Sequence, residues 1–173
     1  RSILGVADQL GWPRFAVLAH SRGAMMAALL AAAQPDRVAA LVCIDGLLTR
    51  PVAEEDFPVQ LGRYLHDFEK PGRPARAFNS LEEAAQARIK AMPMSVPAAL
   101  RIVERGTQQG EDGKYRWRSD RRVGLASSIK LTHGQWLAVM KAIRAPLLFV
   151  SAQKGFGEQL LGLLAEDERP VDF

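Results

Sequence analysis

The chain has 173 residues, 48% of them hydrophobic and 24% charged, with a formal net charge of +4; this is the size of one domain with enough apolar material for a sizeable core. A single cysteine, Cys43, excludes a disulfide framework and a cysteine-based metal site. No apolar run reaches the roughly 18 residues of a membrane helix and no stretch resembles a signal peptide, so a cytoplasmic protein is expected.

Ile3, Leu4, Val6, Ala7 and Leu10 read as the apolar face of a helix already under way at Arg1, which is not a methionine, so a natural N-terminus is not expected there. Gly11-Trp12-Pro13 breaks that helix, and residues 15–19 form a nearly continuous apolar run that predicts a strand buried on both faces. The run breaks at Ala19-His20-Ser21-Arg22-Gly23 and continues into Ala24-Met25-Met26-Ala27-Ala28-Leu29-Leu30, which reads as strand, tight turn and helix with a serine at the apex. The helix, predicted near residues 22–34, is apolar on almost every side and is ended by Pro35-Asp36-Arg37. Residues 38–44 predict a second buried strand, in which Cys43 is a small buried hydrophobe. Strand, helix and strand in so short a span form a βαβ unit, with parallel strands and a right-handed crossover.

From residue 51 to 144 charges become frequent and prolines recur. Helices are predicted near residues 58–68, 81–92, 97–105 and 133–143. Gly110-Glu111-Asp112-Gly113 is a turn signal, and Lys114-Tyr115-Arg116-Trp117-Arg118 alternates like a half-exposed strand. Pro146-Leu147-Leu148-Phe149-Val150-Ser151 returns to buried-strand character, and a helix is predicted near residues 157–165. The expected fold class is therefore α/β: a partial doubly wound, mainly parallel sheet in two core segments, residues 1–50 and 145–173, with a mostly helical cap inserted over residues 51–144.

The serine turn carries the chemistry. A serine hydroxyl is a poor nucleophile, and a sharp strand-to-helix turn lifts it clear of the sheet to where a base can reach its proton. Small residues two before and two after it, here Ala19 and Gly23, let the chain bend that tightly. The backbone N–H of Arg22 is then an oxyanion donor at the positive end of the helix dipole. The competing reading is a plain turn with Ser21 capping the helix. Asp45 ends the second strand on the same sheet edge as Ser21, and Asp45-Gly46 reads as a turn with the aspartate capping backbone amides. His20, His66 and His133 are assigned structural or solvated roles rather than that of base. Lys114, Arg116, Arg118, Arg121 and Arg122 around Tyr115 and Trp117 admit a nucleic-acid-binding reading, which an exposed hairpin explains equally well without a ligand.

The serine turn, the Asp36-Arg37-Val38 crossover, the Ile44-Asp45 strand end and the position of the insertion resemble the α/β-hydrolase superfamily. Arg105-Gly106-Thr107, the segment from Asp112 to Arg122 and the strand before Gly155 are similar to its serine hydrolase-like branch. The resemblance implies cleavage of a carboxylic ester or similar acyl bond through an acyl-serine intermediate on Ser21. It also implies an internal piece of a longer hydrolase, with further strands before Arg1 and the catalytic histidine after Phe173, hence no activity from these residues alone. Family members place the acid after the strand that follows the cap or after the strand that follows the serine helix. The first place reads Ala152-Gln153-Lys154-Gly155-Phe156-Gly157-Glu158, with no carboxylate before Glu158, and Asp45 stands at the second. Serine rather than aspartate at the turn argues against a dehalogenase or epoxide hydrolase. The expected partner is a small-molecule ester or acyl substrate, chosen by cap residues such as Phe57, Tyr64, Leu65, Phe68 and Trp136, whose other reading is helix-packing core. No cofactor, metal, nucleic acid or membrane is expected. The alternative is a non-catalytic relative that keeps the fold as a binding or interaction surface.

Overall fold

The computed structural model describes residues 2–47, 49, 51–69, 76–120, 123, 127–128 and 130–152. Its elements in chain order are α1 (Ser2–Gln9), β1 (Phe15–His20), α2 (Arg22–Ala33), β2 (Val38–Ile44), α3 (Phe57–Glu69), α4 (Leu81–Ala91), α5 (Val96–Gly106), β3 (Thr107–Gln109), β4 (Tyr115–Trp117), α6 (His133–Ala142) and β5 (Leu147–Val150). They divide into two compact units, Arg1–Pro58 with Ile129–Phe173, and Val59–Ser128. The helix predicted near residues 157–165 lies outside the described residues.

In the first unit β1, β2 and β5 form a parallel sheet with β2 in the middle. Helix α2 presents Ala24, Ala27, Ala28 and Ala31 at helical spacing, all buried, and these small side chains let its backbone lie close over Leu41 and Cys43 of β2. Helix α6 joins the same core through Trp136 and Met140. A capping box starts it: the Gln135 N–H donates to Thr132 Oγ1, and the Thr132 N–H donates to Gln135 Oε1. The Trp136 indole N–H donates to the Thr49 carbonyl at 3.1 Å, so this helix is tied to the segment after β2.

Two expectations are corrected by this packing. Strand β1 is not buried on both faces, because Phe15, Val17 and Ala19 are half-buried while Ala16, Leu18 and His20 are exposed. Leu18, Val42 and Leu148 share one row of the opposite sheet face, and Leu18 and Leu148 are 71% and 58% exposed. A continuous apolar run is compatible with one covered face or two, and the packing decides which. The second correction concerns Trp136: it is 2% exposed in the core of the first unit and is no candidate for a substrate wall. The packing boundaries accordingly fall at 58/59 and 128/129, whereas the sequence division was drawn at 50/51 and 144/145.

The second unit packs α4 and α5 around Phe78, Ala84, Ala85, Ala99 and Val103. Ser80 caps α4 by accepting the Glu83 N–H, and Ser95 caps α5 by accepting the Ala98 N–H. The antiparallel hairpin of β3 and β4 adds Tyr115 and Trp117 to this core, and Phe78 pairs with Tyr115 through both backbone bonds. Strand β3 was not predicted, since Thr107-Gln108-Gln109 has no strand-like apolar pattern. Trp117 lies against Gly106, where a Cβ would come within 2.8 Å of the ring.

Candidate active site at the strand ends

Because β1, β2 and β5 are parallel, their C-terminal ends line one edge of the sheet, the place where open α/β sheets bind ligands. The last paired residues of β1 and β2 are His20 and Ile44. The ladder nevertheless continues one step further: the Ser21 N–H donates to the Ile44 carbonyl at 2.9 Å, and the Asp45 N–H donates to the Val150 carbonyl at 2.8 Å. Ser21 and Asp45 therefore occupy equivalent positions on adjacent strands, each just past the end of its strand.

Both have left-handed backbone angles. Ser21 has φ 53° and ψ −124°, the first central position of a type II′ turn, which glycine occupies without steric cost and serine does not. Asp45 has φ 45°, where aspartate is better tolerated than most residues. The Ser21 carbonyl accepts the N–H groups of Ala24 and Met25 and so begins α2, but the Ser21 side chain makes no capping hydrogen bond and the residue is exposed. The plain capping role considered for this serine is thus not the one it fills. Its hydroxyl stands at the helix N-terminus, where a developing negative charge on a bound group is favoured.

The small-residue rule for the turn takes a different form from the one expected. A Cβ on Gly23 would lie 4.0 Å from the Ala19 Cβ, which is ordinary contact. The crowded position is Gly46, where a Cβ would lie 2.7 Å from the Ser21 carbonyl oxygen and 2.9 Å from its Cα. Sequence reasoning missed Gly46 because an Asp-Gly pair after a strand reads first as a turn, and the approach of another strand's backbone is not a local property.

The remaining candidates separate as follows. Alternation along β1 puts His20 on the exposed face with Leu18, His133 is the first residue of α6, and His66 belongs to α3 in the second unit. Glu158, the other carboxylate considered as the acid, lies outside the described residues. Burial pushes the Cys43 thiol up to about 11, so it is a core side chain rather than a nucleophile. Tyr115 and Trp117 pack into the core of the second unit, and Arg116 is held by Asp112 through two bonds of 2.8 and 2.6 Å. These rings therefore serve the hairpin's packing, while Arg121 and Arg122 lie outside the described residues.

Comparison with known proteins bears on the fold. Residues 1–81 match the family model described as the alpha/beta hydrolase fold. The crystal structure of a hypothetical protein from Pseudomonas aeruginosa PAO1 superimposes with a TM-score of 0.85 at 33% identity, covering 94% of this chain and 60% of that one. The chain has the fold of the α/β-hydrolase superfamily. Within that superfamily, a "serine hydrolase-like protein" of Danio rerio is 25% identical over 155 residues, which cover 87% of this chain and 47% of its own length. An esterase from Mycobacterium tuberculosis, at 23% identity and a TM-score of 0.60 over 96% of this chain and 50% of its own, shares the fold. The chain spans about half the length of the curated relatives it matches.

Proposed function

We propose that the protein is a serine hydrolase of the serine hydrolase-like branch, cleaving a carboxylic ester or similar acyl bond through an acyl-Ser21 intermediate. One observation carries this reading: Ser21, an exposed residue, is held in a glycine-type conformation at a helix N-terminus that its side chain does not cap. Ser21 Oγ attacks the acyl carbon while a histidine takes its proton. The carbonyl oxygen, now an anion, receives the Arg22 N–H at the start of α2, and collapse expels the leaving group with the proton the histidine held. Water then repeats the sequence on the acyl-serine. Asp45 orients that histidine and stabilises its charged form. The base in this reading is a histidine, as the resemblance to the superfamily implies, and the role is not assigned to His20, His66 or His133. No cofactor enters the reaction in this reading. The substrate is a small cytoplasmic ester or acyl compound rather than a nucleic acid or a membrane lipid.

The test is fluorophosphonate labelling of the intact protein read by mass. One adduct is expected, absent in Ser21→Ala, and Asp45→Asn should lower ester turnover by about 10³- to 10⁴-fold. Native protein that takes no label would favour the non-catalytic binding reading instead.

A further inference from the structure

We infer that Gly46 is a positioning residue for the reacting groups, an inference that rests on the assignment of Ser21 as nucleophile. A Cβ on Gly46 would lie 2.7 Å from the Ser21 carbonyl oxygen, 2.9 Å from Ser21 Cα and 3.0 Å from its carbonyl carbon. These three atoms belong to one rigid piece of chain. The Cα carries the Cβ that bears the hydroxyl, and the carbonyl carbon is bonded to the Arg22 nitrogen with the N–H assigned to the oxyanion. Gly46 is buried, and it is not one of the left-handed glycines, which among the described residues are Gly11 and Gly113. Space, rather than backbone freedom, is what requires glycine here.

The nature of the obstacle distinguishes Gly46 from other crowded glycines. At Gly106 and Gly110 an added Cβ would come under 3.0 Å only to side-chain atoms, of Trp117 and of Arg116 and Asp112. Side chains can swing aside. The obstacle at Gly46 is backbone fixed from both directions, by the Ser21 N–H to Ile44 bond on the sheet side and by the Ala24 N–H to Ser21 bond on the helix side. Opening the 2.7 Å approach to the 3.4 Å of ordinary contact needs a shift of about 0.7 Å, which moves the hydroxyl and the Arg22 amide together. Misplacement of reacting groups on that scale costs rate steeply, up to about 100-fold for 1 Å. Gly46 itself touches no substrate in this arrangement, so binding should suffer much less than turnover.

The experiment uses the intact protein with Gly46→Ala, Ser21→Gly and the double variant, and Gly134→Ala as a helix-surface control whose Cβ meets nothing within 4 Å. Folded Gly46→Ala should react with fluorophosphonate about 30- to 100-fold more slowly, with kcat falling in parallel and KM within about threefold of wild type. In the Ser21→Gly background the turn can relax, so Gly46→Ala should lower Tm by less than it does beside Ser21. Folded Gly46→Ala reacting at the wild-type rate, or an equal Tm loss in both backgrounds, would overturn the inference. If Gly46→Ala does not fold, recovery of the fold in the double variant supports it, and failure there overturns it. Should wild type itself take no label, the nucleophile assignment fails, while the Tm coupling still decides whether Gly46 shapes the turn.

Discussion

Replacing Ser21 by glycine should make the protein more stable than replacing it by alanine. Both substitutions remove the hydroxyl, which caps nothing, and they differ only in the Cβ that the backbone at φ 53° and ψ −124° crowds. A non-glycine residue held in a sparsely populated region costs about 1–3 kcal/mol. Glycine recovers this but carries about 0.4–1 kcal/mol of extra unfolded-state entropy. The net gain of glycine over alanine is therefore about 0–2.6 kcal/mol, about 1.3 kcal/mol at the midpoints. Ser21→Ala, which keeps the strain and loses an exposed hydroxyl, should stay within about 0.5 kcal/mol of wild type. Urea unfolding at neutral pH resolves these differences as shifts of the midpoint at unchanged slope. If the glycine variant were no more stable than the alanine variant, the backbone at Ser21 would not be strained, and the case for a turn built around this serine would lose its physical basis.

Four other expectations follow from the packing and the charges. Trp136→Phe should cost about 0.5–1.5 kcal/mol by losing the bond to the exposed Thr49 carbonyl, and Trp136→Ala about 3–5 kcal/mol, yet neither should change acyl-length preference in an ester panel. Ellman's reagent should reach Cys43 only after unfolding, because burial holds its thiol near 11; reaction at the rate of an exposed thiol would contradict the core assignment. The Asp112 carboxyl is held below its ordinary 3.8, first by the Arg116 side chain and then by the Lys114 N–H, so its contribution to the hairpin is present above that value and lost as pH falls below it. Asp112→Asn should flatten this acid limb in an NMR titration of the hairpin, and an unchanged limb would assign it to another group. Residues 1–173 expressed alone should bind a hydrophobic dye through the Leu18, Leu148 and Val150 face and associate, and Leu18→Lys with Leu148→Lys should reduce both; a cooperative, dye-silent monomer before substitution would refute this.

The parts of the fold legible in the sequence were those governed by local rules. Residues 15–44 place strand, turn, helix and strand correctly because the apolar runs are bounded by breakers, Pro13 on one side and Pro35-Asp36 on the other. The helices predicted near residues 81–92 and 97–105 form as α4 and α5, and the capping bonds of Ser80 and Ser95, not singled out in the sequence, are local too. What failed depends on tertiary approach. Whether Leu18 faces solvent or a neighbour is not written in an apolar run, and helix α6 was assigned to the insertion because its surroundings in sequence are polar, although Trp136 reaches Thr49. Strand β3 pairs with β4 where Trp117 lies against Gly106, and Thr107-Gln108-Gln109 has no apolar pattern that shows this pairing when read alone. At the candidate site, the types and order of Ser21 and Asp45 were readable, but the closeness of Gly46 to Ser21 was not.

A strained turn persists only where its surroundings fix it more strongly than the strain opposes it. Ser21 is pinned at its N–H by Ile44 and at its carbonyl by Ala24 and Met25, and its partner strand is continued by the Asp45 N–H bond to Val150. Each such bond contributes about 0.5–1.5 kcal/mol net, so three together match a strain of about 1–3 kcal/mol before any packing is counted. Packing adds to this in a directional way, because the buried alanines hold α2 close over β2 and thereby set where the first turn of α2 meets the strand end. Moving Ser21 to an ordinary conformation would require α2 to slide over Leu41 and Cys43 or the sheet ladder to lose its last step. A serine whose only task was to cap the helix would need none of this, since capping residues take relaxed β-region angles and spend the hydroxyl on the helix. Ser21 has neither property. The fold thus keeps Ser21 at the strand-end edge of the sheet with a hydroxyl that caps nothing among the described residues, which is the physical content of its proposed role as a nucleophile.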